Sequence, residues 1–223
     1  MPFTATSRRR WRLLAVLLLA PVLPAAGQTS PAGGEWRSMF DGESFGKWKQ
    51  TPFGGNGPVK VEKRAIYFGP GRPLAGITWS GEFPKTDYEI RFEGVRVAGG
   101  DFFASLTFPV GDSFATWVTG GWGGDIVGIS SIDDWDASEN ETRTYFNFEA
   151  GRWYKFLLQV TGERIRAWID GDLIVNVAIA GRAISLRFGE IERSAPLGFA
   201  SYATLGGVRN IAYRPLRSQG AAK

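Results

Sequence analysis

The chain contains no cysteine and no histidine. Without cysteine there is no disulfide framework, no thiolate nucleophile, no cysteine-held metal and no lipid-modified cysteine anchor. Without histidine there is no Ser-His-Asp triad, no imidazole general base and no histidine-bound zinc. Any catalysis must therefore draw on carboxylates, lysine, tyrosine, arginine or a bound ion. Excess charge is also missing from most of the chain. Overall, 26 Lys+Arg stand against 22 Asp+Glu, a net charge of +4. Arg8, Arg9, Arg10 and Arg12 account for that whole excess, and no acid lies among residues 1–27. The remainder is neutral and has no basic run, which excludes a nucleic-acid surface built on net charge. Helix-period apolar segments longer than about two turns are absent as well.

The four arginines precede an apolar run from Leu13 to Leu23 that contains a proline and is short for a bilayer span. Ala25-Ala26-Gly27 then offers the small residues that a signal peptidase reads. Residues 1–27 are expected to be a cleaved bacterial-type signal peptide, which makes the protein secreted or periplasmic. The route is general secretion or, because Ser7–Trp11 loosely matches a twin-arginine signal, twin-arginine export. An uncleaved anchor is the alternative. Residues 28–34 read as a linker, 35–217 as a single domain and 218–223 as a tail.

Aromatic residues make up 14% of the chain and glycines number 30, a composition suited to a sheet protein with many turns. The clearest pattern runs from Gly151 to Val177. Phe156, Leu158 and Val160 alternate with other positions, as do Ile165, Ala167 and Ile169, and then Leu173, Val175 and Val177. Period-two alternation places one apolar face on a core. Thr161-Gly162-Glu163 and Asp170-Gly171-Asp172 supply the turns. This is a three-stranded meander. Val59–Glu62 with Ala65–Phe68 predicts a hairpin around Lys63-Arg64, and Tyr88–Val97 a half-buried strand. Further short strands are expected at 35–40, 76–80, 102–110, 114–119, 126–129, 184–186, 197–202 and 208–213. The fold class is all-β, an antiparallel sandwich, with sandwich and jelly-roll topologies both open at this level.

Three segments carry a resemblance: SMFDGESFGKWK (38–49), GRWYKFLLQVTGERIRAWIDG (151–171) and PLGFASYATLGGVRNIAYRPL (196–216). With them the chain resembles the secreted bacterial 3-keto-disaccharide hydrolase family, also described as 3-keto-glucoside lyases or hydratases. The resemblance extends from about Trp36 to Leu216. It implies a concanavalin A-like (laminin-G-like) jelly-roll β-sandwich and hydrolysis or elimination at a modified glycoside. A non-catalytic glycan- or protein-binding module of the cell envelope is the alternative. The stretch Gly99–Thr107 departs from the Asn-Ser-Gly-Ile segment and following Arg typical of that family.

Four groups of residues are candidates for function. In Gly120-Gly121-Trp122-Gly123-Gly124-Asp125, the glycines leave the Trp122 ring without bulky sequence neighbours. Trp122 is either a platform for the C–H face of a sugar or core filler at a bend. Asp133, Asp134, Asp136 and Glu139, with Glu141 and Asn140 nearby, are oxygen ligands of the kind Ca²⁺ favours, though not in EF-hand spacing. An ion or an arginine partner would relieve their mutual repulsion; a solvated loop, or a helix cap by Ser138 and Glu141, is the other reading. Asp101 and Asp125 are candidate catalytic carboxylates near strand ends. Glu190 and Glu192 form a second candidate pair, alternating about Ile191 as on a strand face. Arg166 and Trp168 share one face of the meander and would bind a sugar if that face borders the site. Otherwise Trp168 packs beneath a loop, with the Arg166 stem beside it.

Overall fold

The computed structural model describes Met1 and residues 33–216; the expected signal peptide, most of the linker, and the tail lie outside the described residues. The strands are β1 (Arg37–Ser38), β2 (Trp48–Gln50), β3 (Val59–Glu62), β4 (Ala65–Phe68) and β5 (Leu74–Trp79). There follow β6 (Tyr88–Ala98), β7 (Ser105–Val110), β8 (Ser113–Gly121), β9 (Ile126–Ser130) and β10 (Thr144–Tyr145). The chain closes with β11 (Trp153–Val160), β12 (Arg164–Ile169), β13 (Asp172–Ala178), a 3₁₀ helix (Glu190–Ser194), β14 (Gly198–Tyr202) and β15 (Leu205–Pro215).

These strands form two antiparallel sheets, a jelly-roll sandwich. One has eight strands in the order β13-β12-β11-β6-β15-β4-β3, with β1 paired to β15. The other has seven in the order β10-β9-β8-β7-β14-β5-β2. The meander and the β3–β4 hairpin lie where the alternation placed them, with Phe156 opposite Ile169 and Ile165 opposite Val177. Lys63 and Arg64 both take positive φ in the hairpin turn.

Period two decides what each face carries. From the eight-stranded sheet, Ile90, Phe92, Phe156, Leu158, Ile165 and Ala167 point into the core. Leu106, Phe108, Trp117, Ile129, Ile77 and Phe199 meet them from the other sheet. At the centre Phe92 stacks on Phe156 (4.8 Å, 8°), while Phe199 and Trp117 present edges to Phe92 at 4.8 and 6.3 Å. Such aromatic pairs contribute beyond the area they bury.

Expectation and structure differ in three further places. Residues 184–186 form no strand; Ile184 makes a single bridge to Ile132. Glu190 and Glu192 do not alternate on a strand, because Glu190–Ser194 coils into the 3₁₀ helix, which packs against β5 and β14. The loop around Ser138 likewise forms turns rather than a capped helix, with the Glu139 and Asn140 amides both donating to the Asp136 carbonyl.

The stacked Phe92 offers the direct test of this core. Phe92→Ala should lower unfolding free energy by about 3–5 kcal/mol in urea titration, and a loss below about 1 kcal/mol would contradict the packing described.

Candidate active site

The sheet faces turned away from the core differ sharply. On the eight-stranded sheet the outer face is a closed ionic ladder. Glu89, 1% exposed, accepts from Arg214 Nε at 2.6 Å and from Gln159 Nε2 at 2.7 Å. Gln159 Oε1 in turn accepts from Arg166 Nη1 at 3.2 Å, and Arg166 Nε donates to Asn176 Oδ1 at 3.4 Å. Trp36 lies beside the guanidinium groups of Arg91 (4.2 Å) and Arg214 (4.7 Å).

The outer face of the seven-stranded sheet is open and holds a cleft of about 520 Å³. Its floor comes from the outward positions of successive strands: Ser130 of β9, Thr116 and Val118 of β8, Ser105 of β7, Tyr202 of β14 and Leu74 of β5. These positions alternate with the core residues, so small and hydroxyl side chains lie outward where aromatics lie inward. One wall comes from Asp101, Phe102 and Trp122, the other from Arg187, Phe188, Glu190 and Ile191.

The turn that presents Trp122 explains its glycines. Trp122 has φ 49°, and Gly120, Gly123 and Gly124 have φ 82°, 100° and 106°, backbone that a side chain rarely adopts. A Cβ on Gly124 would stand 2.6 Å from Arg96 Nη1. Arg96, from β6 of the opposite sheet, donates to the Gly124 carbonyl at 2.8 Å and to the Phe148 carbonyl at 2.6 Å, which ties the turn in place. The indole is 39% exposed at the cleft, with the Arg187 guanidinium 5.9 Å from its ring. Trp122 thus stands exposed at the cleft and is not packed in the core.

Asp101 is half-buried in the same wall. Its Oδ1 accepts from the Phe102 amide at 2.8 Å, and its own amide donates to Thr204 Oγ1 at 3.1 Å. A Cβ on Gly121 would lie 3.9 Å from Asp101 Oδ1, so the carboxylate stands beside the Trp122 turn. Among the described residues, Asp101 Oδ2 has no hydrogen-bond partner. Glu190 is committed: Oε2 accepts from the Gly54 amide at 2.7 Å and Oε1 from Arg193 at 3.2 Å. The Gly54 amide, and then the charge of Arg193, hold its carboxyl below the usual range.

The structure does not bring every expected residue to this cleft. Asp125 is exposed and lies outside the lining; its backbone carbonyl accepts from Phe146. Arg166 and Trp168, expected beside a sugar if their face bordered the site, stand on β12 in the other sheet, where Arg166 belongs to the ionic ladder. The acidic loop does not assemble a cation cage either. Among the described residues no three acids converge in metal-ligand fashion. Arginines take that role: Arg182 binds Asp133 at 2.5 Å and Glu141 at 2.6 Å, and Arg187 binds Asp136 at 3.1 Å. Asp134 and Glu139 remain exposed. Because Asp133 is saturated by Arg182 and the Ala183 amide, and Asp136 by Arg187 and the hydroxyls of Ser130 and Ser131, the set expected for Ca²⁺ does not fit it. Asn140 is a structural residue. Its buried amide donates to the Ile129 and Trp135 carbonyls and accepts from Thr142.

Arg96, Phe102, Arg187, Phe188 and Tyr202 enter the site without having been singled out in the sequence. Phe102 had a local signal, since it follows Gly99-Gly100-Asp101. Arg96 and Tyr202 are brought in by pairing between distant strands, and Arg187 and Phe188 by the loop that precedes the 3₁₀ helix, where Arg187 pairs with Asp136.

Fold and cleft together define a concanavalin A-like jelly roll with an open, aromatic-lined groove on one sheet. Residues 35–214 match the model of the 3-keto-alpha-glucoside-1,2-lyase-like domain, and the chain belongs to that family. No curated protein matches it. Among solved structures, a Crh5 transglycosylase superposes with TM-score 0.55 at 13% identity, over 84% of this chain and 88% of that one. Domain 4 of the extracellular arabinanase AbnA from Geobacillus stearothermophilus, solved with arabinotriose, gives 0.52 at 13%, over 81% and 91%. The Bacillus licheniformis beta-glucanase gives 0.52 at 11%, over 83% and 99%. At these identities the likeness is one of fold, and that fold is carried by carbohydrate-binding and carbohydrate-cleaving proteins. Among the described residues no helix is long and apolar enough to cross a membrane.

The carboxylates of the arginine clamp titrate below their ordinary range. The Ala183 amide, and after it Arg182, lowers the Asp133 carboxyl, and Arg182 lowers that of Glu141. Depressed carboxylates contribute to docking above their unfolded pKa, and that contribution disappears as pH falls through the folded value. Hydrogen exchange of residues 131–143 should therefore accelerate below the ordinary carboxylate range, and Arg182→Gln should produce the same acceleration at pH 7. Unchanged protection in Arg182→Gln would contradict the clamp.

Proposed function

We propose that the protein binds a glycoside in this cleft and cleaves 3-keto-glycosides by elimination across C1 and C2, with Asp101 as the base. The observation that carries the reading is the placement of Asp101 and Trp122 side by side in one cleft wall. The Trp122 indole offers an apolar face to the C–H face of a pyranose, and Ser105, Thr116 and Ser130 form the floor beneath, their hydroxyls bonded to the Thr119 amide, Thr107 and Asp136. The Phe102 amide orients the Asp101 carboxylate and leaves Oδ2 for a proton.

Elimination suits these groups better than hydrolysis by two carboxylates. A 3-keto group acidifies the proton on C2. Asp101 takes that proton, the C2–H electron pair forms the C1=C2 bond, and the C1–O bond breaks with its pair on oxygen. The departing oxygen then accepts a proton, for which protonated Asp101 is the nearest source. No second carboxyl held protonated is needed at the outset. Hydrolysis by the two-carboxylate route requires an acid poised protonated, and the other carboxyl in the cleft, Glu190, is shifted the opposite way. The family's description as lyase-like supports the same chemistry. The basic, apolar and small-residue order of residues 1–27 supports export to the periplasm or medium.

Turnover of 3-keto-glucosides and of ordinary disaccharides by the purified protein tests this. The 3-keto substrates should be cleaved and the ordinary ones left intact. Asp101→Asn should lower turnover roughly 10²–10⁴-fold while binding persists, and Trp122→Ala should weaken binding about tenfold. Full activity in Asp101→Asn would remove the proposed base. Saccharide binding without turnover in the unaltered protein would make it a glycan-binding module.

A further inference from the structure

The cleft is divided by polarity, and the division follows the strand order. On the β9, β8 and β7 side the outward residues are Ser130, Thr116, Val118 and Ser105, of which only Val118 is apolar, with Asp101 and Trp122 beside them. On the β14 and β5 side the surface changes character. Leu74 and Ala200 pack with Phe53 in a separate apolar cluster outside the main core, and Phe102 and Ile191 lie against it. Phe102 and Tyr202 form a tilted pair with centroids 5.7 Å apart. Tyr202 is 41% exposed, and Phe188 on the facing wall is 92% exposed. The carboxylate on this side, Glu190, is occupied by Gly54 and Arg193.

We propose that the ligand is amphipathic: a glycoside whose sugar ring occupies the polar half and whose aglycone is a flat aromatic ring lying against Phe102, Tyr202 and Ile191. This rests on the saccharide reading above and adds the identity of the leaving group. A second sugar in the apolar half would set several hydroxyls against Leu74, Phe102 and Ile191 with few partners, and each unpaired polar group removed from water is costly. An aryl ring has no such requirement, and its face and edge complement the tilted aromatic pair. A volume of about 520 Å³ lies within the range of sites that enclose ligands of two ring systems. The scissile C1–O bond then falls at the boundary of the two halves, where Asp101 and Phe102 are adjacent in sequence.

Titration calorimetry of the full protein with phenyl glucoside, octyl glucoside and maltose, each also as its 3-keto derivative, tests the assignment. Phenyl glucoside should bind about tenfold or more tighter than maltose, and tighter than octyl glucoside. In Tyr202→Ser and in Ile191→Asn, the ratio of phenyl glucoside to maltose affinity should fall toward one. Because a ratio is read, a general loss of folded protein does not mimic the effect. Maltose binding as tightly as phenyl glucoside would overturn the aryl assignment while leaving the saccharide reading standing. Octyl glucoside as the tightest ligand would overturn it in favour of an acyclic aglycone. Failure of every sugar to bind would remove the saccharide reading, and the aryl assignment with it.

Discussion

The aromatic layer between the two sheets is the constraint on which the cleft depends. Phe92, Phe156, Trp117 and Phe199 fill the space between sheets and fix which face of β7, β8, β9 and β14 points inward. Once those positions are committed, period two sends Ser105, Thr116, Ser130 and Tyr202 to the opposite face. A one-residue slip in any of these strands would exchange the two sets, burying hydroxyls and exposing aromatics. The core thus places the binding surface as well as holding the fold together.

The two outer faces then diverge by chemistry. On the eight-stranded sheet, long charged side chains satisfy one another: Glu89 with Arg214 and Gln159, Glu93 with Arg209 and Asn210. On the seven-stranded sheet, short side chains leave a groove, and loops build its walls. The Trp122 turn is held by Arg96 reaching from the opposite sheet, and the Arg187 segment by ion pairs to the acidic loop. Both walls are therefore secured by arginines that contact backbone carbonyls or carboxylates, a rigid means of fixing loop geometry.

Much of this was legible in the residues, for identifiable reasons. The meander and the β3–β4 hairpin combine alternation with tight turns, so local sequence decides them. Strand β2 has three residues and escapes any pattern. Glu190 and Glu192 show strand-like spacing over too few residues to separate it from a 3₁₀ turn. Alternation also states that Arg166 and Trp168 share a face but not which sheet carries it; strand order decides that, through pairings such as β6 with β11 and β15. For the same reason Trp122 and Asp101 were visible as candidates, whereas Arg96, Arg187 and Tyr202 gain their roles from contacts across long sequence separations. The acidic loop was open to a cation or arginine partner, a solvated loop or a helix cap, and the partners Arg182 and Arg187 lie more than forty residues onward.

The most direct measurement is a crystal structure of the Asp101→Asn protein with an uncleaved 3-keto-glycoside. A pyranose ring should lie against the Trp122 indole, with C2 facing residue 101 on the outer side of the seven-stranded sheet. A ligand bound instead over Arg166 and Trp168 on the opposite sheet, or a ring at the cleft with C2 turned away from residue 101, would contradict it.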